Sequence, residues 1–188
     1  MLKALHYSKD LLNALVSEFP HGTFVDATLG KGNDLISILR HSNFTGKVLG
    51  FDIQEQAIQS TQENIYTHKI DGDYQLIQKS HSYLTDYLEK DEKIHGAIFN
   101  LGYLPGGDHT ITTQATSTLM ALEEMGRRLV KNGQIIIVVY SGHPAGQIEK
   151  EALFSALKEW PQDDFQVLQY EFINQRNNPP MVLVIEKR

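Results

Sequence analysis

There is no cysteine in these 188 residues. That absence excludes disulfides, thiolate metal sites and a cysteine nucleophile, and it fits a reducing compartment, so a cytoplasmic protein is expected. No apolar run approaches the ~18 residues needed to span a membrane, and Met1 to Asp10 lacks the apolar centre of a signal peptide. The eight histidines show no His-x-x-x-His or Glu/His spacing on one helix face, so no metal site is expected. There is no Gly-x-Ser-x-Gly elbow, and no Gly-Lys-Ser/Thr end to a nucleotide phosphate loop. Positive charge is scarce. Lys and Arg number 17 against 23 Asp and Glu, a formal net charge of −6. Such a chain is not built to coat nucleic acid, which takes Lys and Arg to neutralise phosphate. A small RNA-modifying enzyme with a local basic patch stays open. Two clusters offer such a patch: Arg127, Arg128 and Lys131, and separately Arg176, Lys187 and Arg188. The more ordinary account of each is a solvated helix end or chain terminus.

What is present is a globular composition, 41% hydrophobic and 21% charged, in a chain long enough for a single domain over residues 1–188. Strands and helices alternate from end to end. A helix is expected over Lys9 to Glu18, with Leu11, Leu12, Leu15 and Val16 on one face and Ser8 as its N-cap. Strands follow at 23–27, 47–52, 74–78, 95–100 and 134–140. Helices lie between them at 33–40 (Leu35, Ile36 and Leu39 inward), 54–68, 82–88 and 113–130. Lys131-Asn132-Gly133 reads as the left-handed cap of the last of these. A helix at 147–160 and two closing strands at 165–172 and 181–186 complete the chain. The first five strands should be parallel with right-handed crossovers, and the last pair an antiparallel hairpin at one end.

The most informative stretch is Val25-Asp26-Ala27-Thr28-Leu29-Gly30-Lys31-Gly32-Asn33-Asp34. A strand enters a tight glycine turn that opens directly into a helix. In an α/β protein this exposes backbone N–H groups and a helix N-terminus at the carboxyl edge of the sheet. Gly30 and Gly32 let a ligand approach the backbone. Asp26 repels phosphate but attracts an ammonium group, so S-adenosylmethionine, with its cationic amino-acid end, suits the turn better than NAD or ATP. Asp52 ends strand 2 roughly 20 residues past the turn, where an acid binds ribose hydroxyls of an adenosine cofactor. Its alternative is capping of the next helix. Thr28, Asn33, Asp34 and Gln54 belong to the same two loops. His81 and Ser82, after strand 3, would lie beside the adenine, although the histidine is as easily a surface residue.

Strand 4 ends in Phe99-Asn100-Leu101-Gly102-Tyr103-Leu104-Pro105-Gly106-Gly107-Asp108. Its Asn-x-x-Tyr spacing resembles the Asn-Pro-Pro-Tyr loop of amino-group methyltransferases, with Leu101 and Gly102 in place of the prolines. The resemblance implies that the Asn100 side-chain carbonyl and the Leu101 backbone accept hydrogen bonds from a target amine, and both residues are also expected to line the cofactor site. Tyr103 could stack on a base, worth roughly 1–3 kcal/mol. Leu104, Pro105 and Gly106 would face the substrate. Asp108 is a candidate for amine placement or base catalysis, or else a turn residue. His143, in Ser141-Gly142-His143-Pro144 after strand 5, and Arg176, between the last two strands, are candidates for RNA phosphate or a base, with plain turn roles as the alternative.

Taken together, the Asp26–Asp34 turn, Gly50-Phe51-Asp52-Ile53-Gln54, the strand 4 loop and Asn177-Asn178-Pro179-Pro180 resemble the small bacterial methyltransferases long labelled rRNA methylases. The resemblance covers essentially the whole chain. It implies a Rossmann-like class I methyltransferase fold: a seven-stranded, mostly parallel sheet with a C-terminal antiparallel strand and helices on both faces. It also implies N-methylation of the 5-aminomethyl group of the modified wobble uridine, giving 5-methylaminomethyl-(2-thio)uridine. The partner is then the tRNA anticodon stem-loop, with S-adenosylmethionine as donor. A homodimer would give so small an enzyme a wider RNA face, though no residue argues for one. Methyltransferase turns usually carry glycine where this chain has Thr28. The same exchange occurs in a longer rRNA methyltransferase family with an Asp-Ala-Thr-Leu-Gly turn. Ribosomal RNA or a small-molecule amine is therefore the alternative acceptor, and a non-catalytic RNA-binding domain the rival class.

Overall fold

The computed structural model describes residues 1–102, 115–142, 144–176 and 178–188. The elements are α1 (Ala4–Glu18), β1 (Thr23–Asp26), α2 (Asn33–Leu39), β2 (Lys47–Phe51), α3 (Glu55–Thr67), β3 (Asp73–Ile77), a 3₁₀ helix (His81–Tyr87), β4 (Ile94–Leu101), α4 (Ala115–Arg128), β5 (Leu129–Val139), α5 (Pro144–Leu157), β6 (Phe165–Tyr170) and β7 (Met181–Lys187). The seven strands form one sheet in the order β3-β2-β1-β4-β5-β7-β6. The first five pair in parallel, and β7 runs antiparallel to both β5 and β6.

Strand order reverses between β1 and β4, so the carboxyl ends of these two strands diverge into a crevice. That is where open α/β sheets place ligands. The register sets Asp26 beside Ile98, and the Ala27 N–H donates to the Ile98 carbonyl at 2.9 Å. The loops after β1 and β4 therefore leave the sheet side by side. The core has one layer on each face. The 3₁₀ helix, α4 and α5 cover Val25, Leu49, Phe99 and Ile137 on one side. On the other, α1, α2 and α3 pack on Phe24, Val48, Ile98 and Ile136. Central strands buried on both faces read as continuous apolar runs, which is what β4 and β5 show. No described helix is long and apolar enough to cross a membrane.

Several expectations need correction. Helix α1 starts a turn early, at Ala4, so Ser8 is not its N-cap. Ser8 is buried inside the helix, and its hydroxyl donates back to the Leu5 carbonyl at 3.1 Å. Serine does either job, and here the apolar stripe beginning at Ala4 decides. In α2, Ile38 is fully buried while Ile36 is only half-buried. Helix α4 ends at Arg128, so Lys131-Asn132-Gly133 is not its cap. Asn132 is left-handed (φ 64°) within β5, where the register shifts from Ile94–Leu129 to Gly96–Gln134 and interrupts the pairing. Helix α5 spans Pro144–Leu157, three residues earlier at each end than the expected 147–160.

Phe24 is fully buried and meets the Phe44 ring edge-on at 5.7 Å. Phe24→Ala is expected to cost about 3–5 kcal/mol of unfolding free energy, read as a lowered urea midpoint at unchanged slope.

Candidate active site

The glycine turn is held from four directions. Leu29 N–H donates to the Phe51 carbonyl at 2.9 Å, and Gly32 N–H to the Leu29 carbonyl at 2.7 Å. Gly30 and Gly32 have φ of 54° and 74°, values that an L side chain adopts only at a cost. Gly32 has a second constraint, because a Cβ there would strike the Thr61 side chain of α3. Thr61 is fully buried and its hydroxyl donates to the Gly30 carbonyl at 3.5 Å, while Asn64 Nδ2 donates to the Lys31 carbonyl at 3.1 Å. Thr61 and Asn64 escaped the sequence analysis. The available signal was a threonine in the inward stripe Ala57-Thr61-Ile65, a polar group where an apolar one was due.

Three carboxylates surround this turn. Asp26 is only 1% exposed, and both its oxygens are taken: Thr28 N–H donates to Oδ1 at 3.3 Å and Leu35 N–H to Oδ2 at 3.2 Å. Its carboxylate is thus committed to shaping the turn. Asp52 accepts from Gly30 N–H through Oδ2 at 2.9 Å and from Gln54 N–H through Oδ1 at 3.0 Å. Asp52 is half-buried and its oxygens keep unused lone pairs, so it supports the start of α3 while leaving acceptors at the rim. Burial, then the charge of Asp34, and more weakly that of Asp52, raise the Asp26 pKa well above the ordinary range. Asp34 is also raised, chiefly by burial, against the Asn100 hydrogen bond and the charge of Lys9. Such a turn is hostile to phosphate and favourable to a cation.

Asn100 lies at the end of β4, beside the turn. Its backbone N–H donates to Thr28 Oγ1 at 2.6 Å and its Nδ2 to Asp34 Oδ2 at 2.8 Å. Leu101 is buried and ends the strand. Tyr140, just past β5, escaped the sequence analysis. It is half-buried, and burial and the charge of Asp34 raise its phenol, which puts it at the same edge. His81 is buried, with Nδ1 2.9 Å from the Ala27 carbonyl and its ring edge-on to Phe99 at 5.3 Å. A carbonyl only accepts, so Nδ1 carries the proton and Nε2 presents a lone pair. Nε2 is buried with no partner among the described residues, and burial lowers the His81 pKa, keeping the ring neutral.

The other expected residues scatter. Ser82 N–H and hydroxyl both meet the Ser80 hydroxyl, at 3.3 and 2.9 Å. Asn33 opens α2 and is exposed, and Gln54 is half-buried before α3. Tyr103, Leu104, Pro105, Gly106, Gly107, Asp108, His143 and Asn177 lie outside the described residues. Arg176 is exposed in the loop that enters β7 at the carboxyl edge of β5. Lys187 and Arg188 lie at the far end of β7, roughly 20 Å away by strand rise, so these three do not form one patch. Arg127 pairs with Glu124 at 2.7 Å, and Arg128 donates to the Glu89 and Glu92 carbonyls at 2.9 and 3.1 Å. Both sit at the amino edge, away from the crevice. A cleft of about 470 Å³ adjoins the site past β5, lined by Ser141, Gly142, Pro144, Gln147, Lys150 and Asn178. Among the described residues no three His, Asp or Glu gather where a metal ion could be held.

The raised acids set a pH dependence. Between the ordinary carboxyl range and the raised values of Asp26 and Asp34, the folded state binds more protons than the unfolded chain. Their contribution to stability is therefore present at low pH and lost as pH rises through the folded values. Asp34→Asn removes one charge and keeps an acceptor for Asn100. Its urea midpoint should exceed that of wild type at alkaline pH, with the gap narrowing on acidification.

Comparison with known proteins accords with this geometry. Over 173 residues the chain is 32% identical to the Arabidopsis thaliana "tRNA (mnm(5)s(2)U34)-methyltransferase, chloroplastic", covering 88% of this chain and 63% of that protein, so it spans under two thirds of that relative's length. A "putative rRNA-methylase" from Clostridium thermocellum superposes with a TM-score of 0.93 at 36% identity, covering 100% of this chain and 99% of the other. A "putative methyltransferase" of Streptococcus mutans, solved in complex with SAH, gives 0.86 at 35% identity with 100% of both chains covered. The fold is that of class I methyltransferases. Residues 48–186 match the family model described as "Putative rRNA methylase", and the chain belongs to that family.

Proposed function

We propose that this protein is an S-adenosylmethionine-dependent methyltransferase that methylates the aminomethyl nitrogen of the modified wobble uridine in tRNA. Family membership supports methyl transfer, and the name of the Arabidopsis relative supports the acceptor. The observation that carries the donor is the glycine turn ringed by Asp26, Asp34 and Asp52. The bound cofactor supplies an electrophilic methyl on a sulfonium, so most of the rate falls to positioning by the protein.

Each residue then has a task. Asp26 holds the turn so that its backbone, with Thr28, Gly30, Gly32 and Asn33 beside it, meets the amino-acid end. Asp34 adds negative charge there. Asp52 accepts from ribose hydroxyls, with Gln54 next to it. His81 and Ser82 are assigned to the adenine side of the site. The carbonyls of Asn100 and Leu101 accept from the target amine and turn its lone pair toward the methyl. An alkyl ammonium must first lose a proton to attack, and Asp108 is assigned to placing it. Tyr103 is assigned to stacking on the base, which an anticodon loop can present unstacked, and Leu104, Pro105 and Gly106 to substrate contacts. The cleft past β5 receives the flanking nucleotides, and His143 and Arg176 are assigned to contacts with RNA phosphate or a base.

Asp52→Ala should weaken cofactor binding by about 1.5–3 kcal/mol, roughly ten- to a hundredfold, as calorimetry would report. Asn100→Ala should slow single-turnover transfer at saturating cofactor on the order of a hundredfold. Nucleoside mass spectrometry of tRNA from a deletion strain should show 5-aminomethyluridine accumulating. An unchanged tRNA profile with a methyl group missing from ribosomal RNA would transfer the assignment to the acceptor in the family's description.

A further inference from the structure

Two hydrogen bonds cross from the glycine turn to Asn100, and together they fix more than its location. A primary amide is nearly symmetric in outline, and a half-turn about its last torsion exchanges oxygen for nitrogen. The Asn100 Nδ2 donates to Asp34 Oδ2. Asp34, bonded at 2.8 Å, therefore selects the orientation in which Nδ2 faces the turn and Oδ1 is left for another donor. Thr28 fixes the remaining freedom. Its hydroxyl oxygen takes the Asn100 backbone N–H at 2.6 Å and so pins the backbone from which the amide hangs. A glycine at position 28, usual in methyltransferase turns, could not do this. Both arms are themselves anchored to one group, because Thr28 N–H and the N–H of Leu35, next to Asp34, donate to the two oxygens of buried Asp26.

We infer that Thr28 and Asp34 are positioning residues that hold Asn100 with Oδ1 turned to the acceptor nitrogen, so that the turn which receives the cofactor also aims the acceptor site. This rests on Asn100 being the amine-binding residue. Misplacing a reacting group by about an ångström costs on the order of a hundredfold in rate. The clamp therefore acts on the transfer step, and its effect persists when cofactor is saturating.

The test uses Thr28→Val, which keeps volume and branching but loses the hydroxyl, and Thr28→Ser, which keeps the hydroxyl. Asp34→Ala and Asp34→Asn form the second pair. Three quantities are read on the full chain: single-turnover methyl transfer to an anticodon stem-loop carrying 5-aminomethyluridine, cofactor affinity by calorimetry, and amide hydrogen exchange in protein labelled with ¹⁵N-asparagine. The Asn100 signals are assigned by their loss in Asn100→Ser. At saturating cofactor, Thr28→Val should slow transfer by roughly ten- to a hundredfold and should abolish protection of the Asn100 backbone N–H. Thr28→Ser should restore both. Asp34→Ala should slow transfer and free the Nδ2 protons, and Asp34→Asn should recover part of each. Wild-type exchange and wild-type rate in Thr28→Val, or a Thr28→Ser protein as slow as Thr28→Val, would overturn the inference. Wild-type protein that leaves the stem-loop unmethylated would instead refute the acceptor assignment, and the exchange measurements alone would then decide whether the clamp exists.

Discussion

A carboxylate with almost no access to solvent holds the carboxyl edge of this sheet in shape. Placing Asp26 in the interior is costly, and the cost is offset only because each oxygen has a backbone N–H to accept. Those two donors, on Thr28 and Leu35, lie on either side of the glycine turn. One side chain thereby ties the exit of β1 to the first turn of α2. Gly30 and Gly32 supply the left-handed backbone that lets the chain close around it. The β1–β4 register then carries this geometry across to Asn100.

Electrostatics follow from the same arrangement. Asp34 and Asp52 approach the turn from different elements and each raises the proton affinity of Asp26. The site gathers negative charge in a low-dielectric pocket, which deepens its attraction for a cation. That choice separates this turn from phosphate-binding loops of similar outline. Lys9 on α1 offsets part of the Asp34 charge from outside. The overall acidity of the chain is thus not uniform surface decoration, since part of it is concentrated around the glycine turn.

Much of this was legible in the amino-acid order. Apolar runs at β1, β2, β4 and β5, broken by a glycine turn and polar strand ends, prescribe a doubly wound sheet, and Asp26, Asp52 and Asn100 stand at strand ends where side chains converge. Local signals failed where two physical roles share one residue type. Ser8 is as good at bonding back within a helix as at capping it, and the apolar stripe beginning at Ala4 settled the matter. A Lys-Asn-Gly run marks a left-handed residue without saying whether a helix has ended or a strand has shifted register. Grouping Arg176 with Lys187 and Arg188 failed because proximity in sequence along an extended strand is distance in space. Thr61, Asn64 and Tyr140 were hidden for a different reason: each gains its place only once α3 and β5 are packed against the turn.

Strand β7 lies inside β6 in the sheet although it follows β6 in the chain. As the polypeptide emerges from the ribosome in order, β6 has no edge to join, because its single neighbour has not been made. The unpaired side of β5 stays open for the same interval, with Ile135, Ile137 and Val139 uncovered toward that edge. Folding from the amino terminus can complete the β3-β2-β1-β4-β5 half early, but closure must wait for a late, non-local pairing. A partly folded intermediate with an open strand edge is a consequence of that one inversion in strand order.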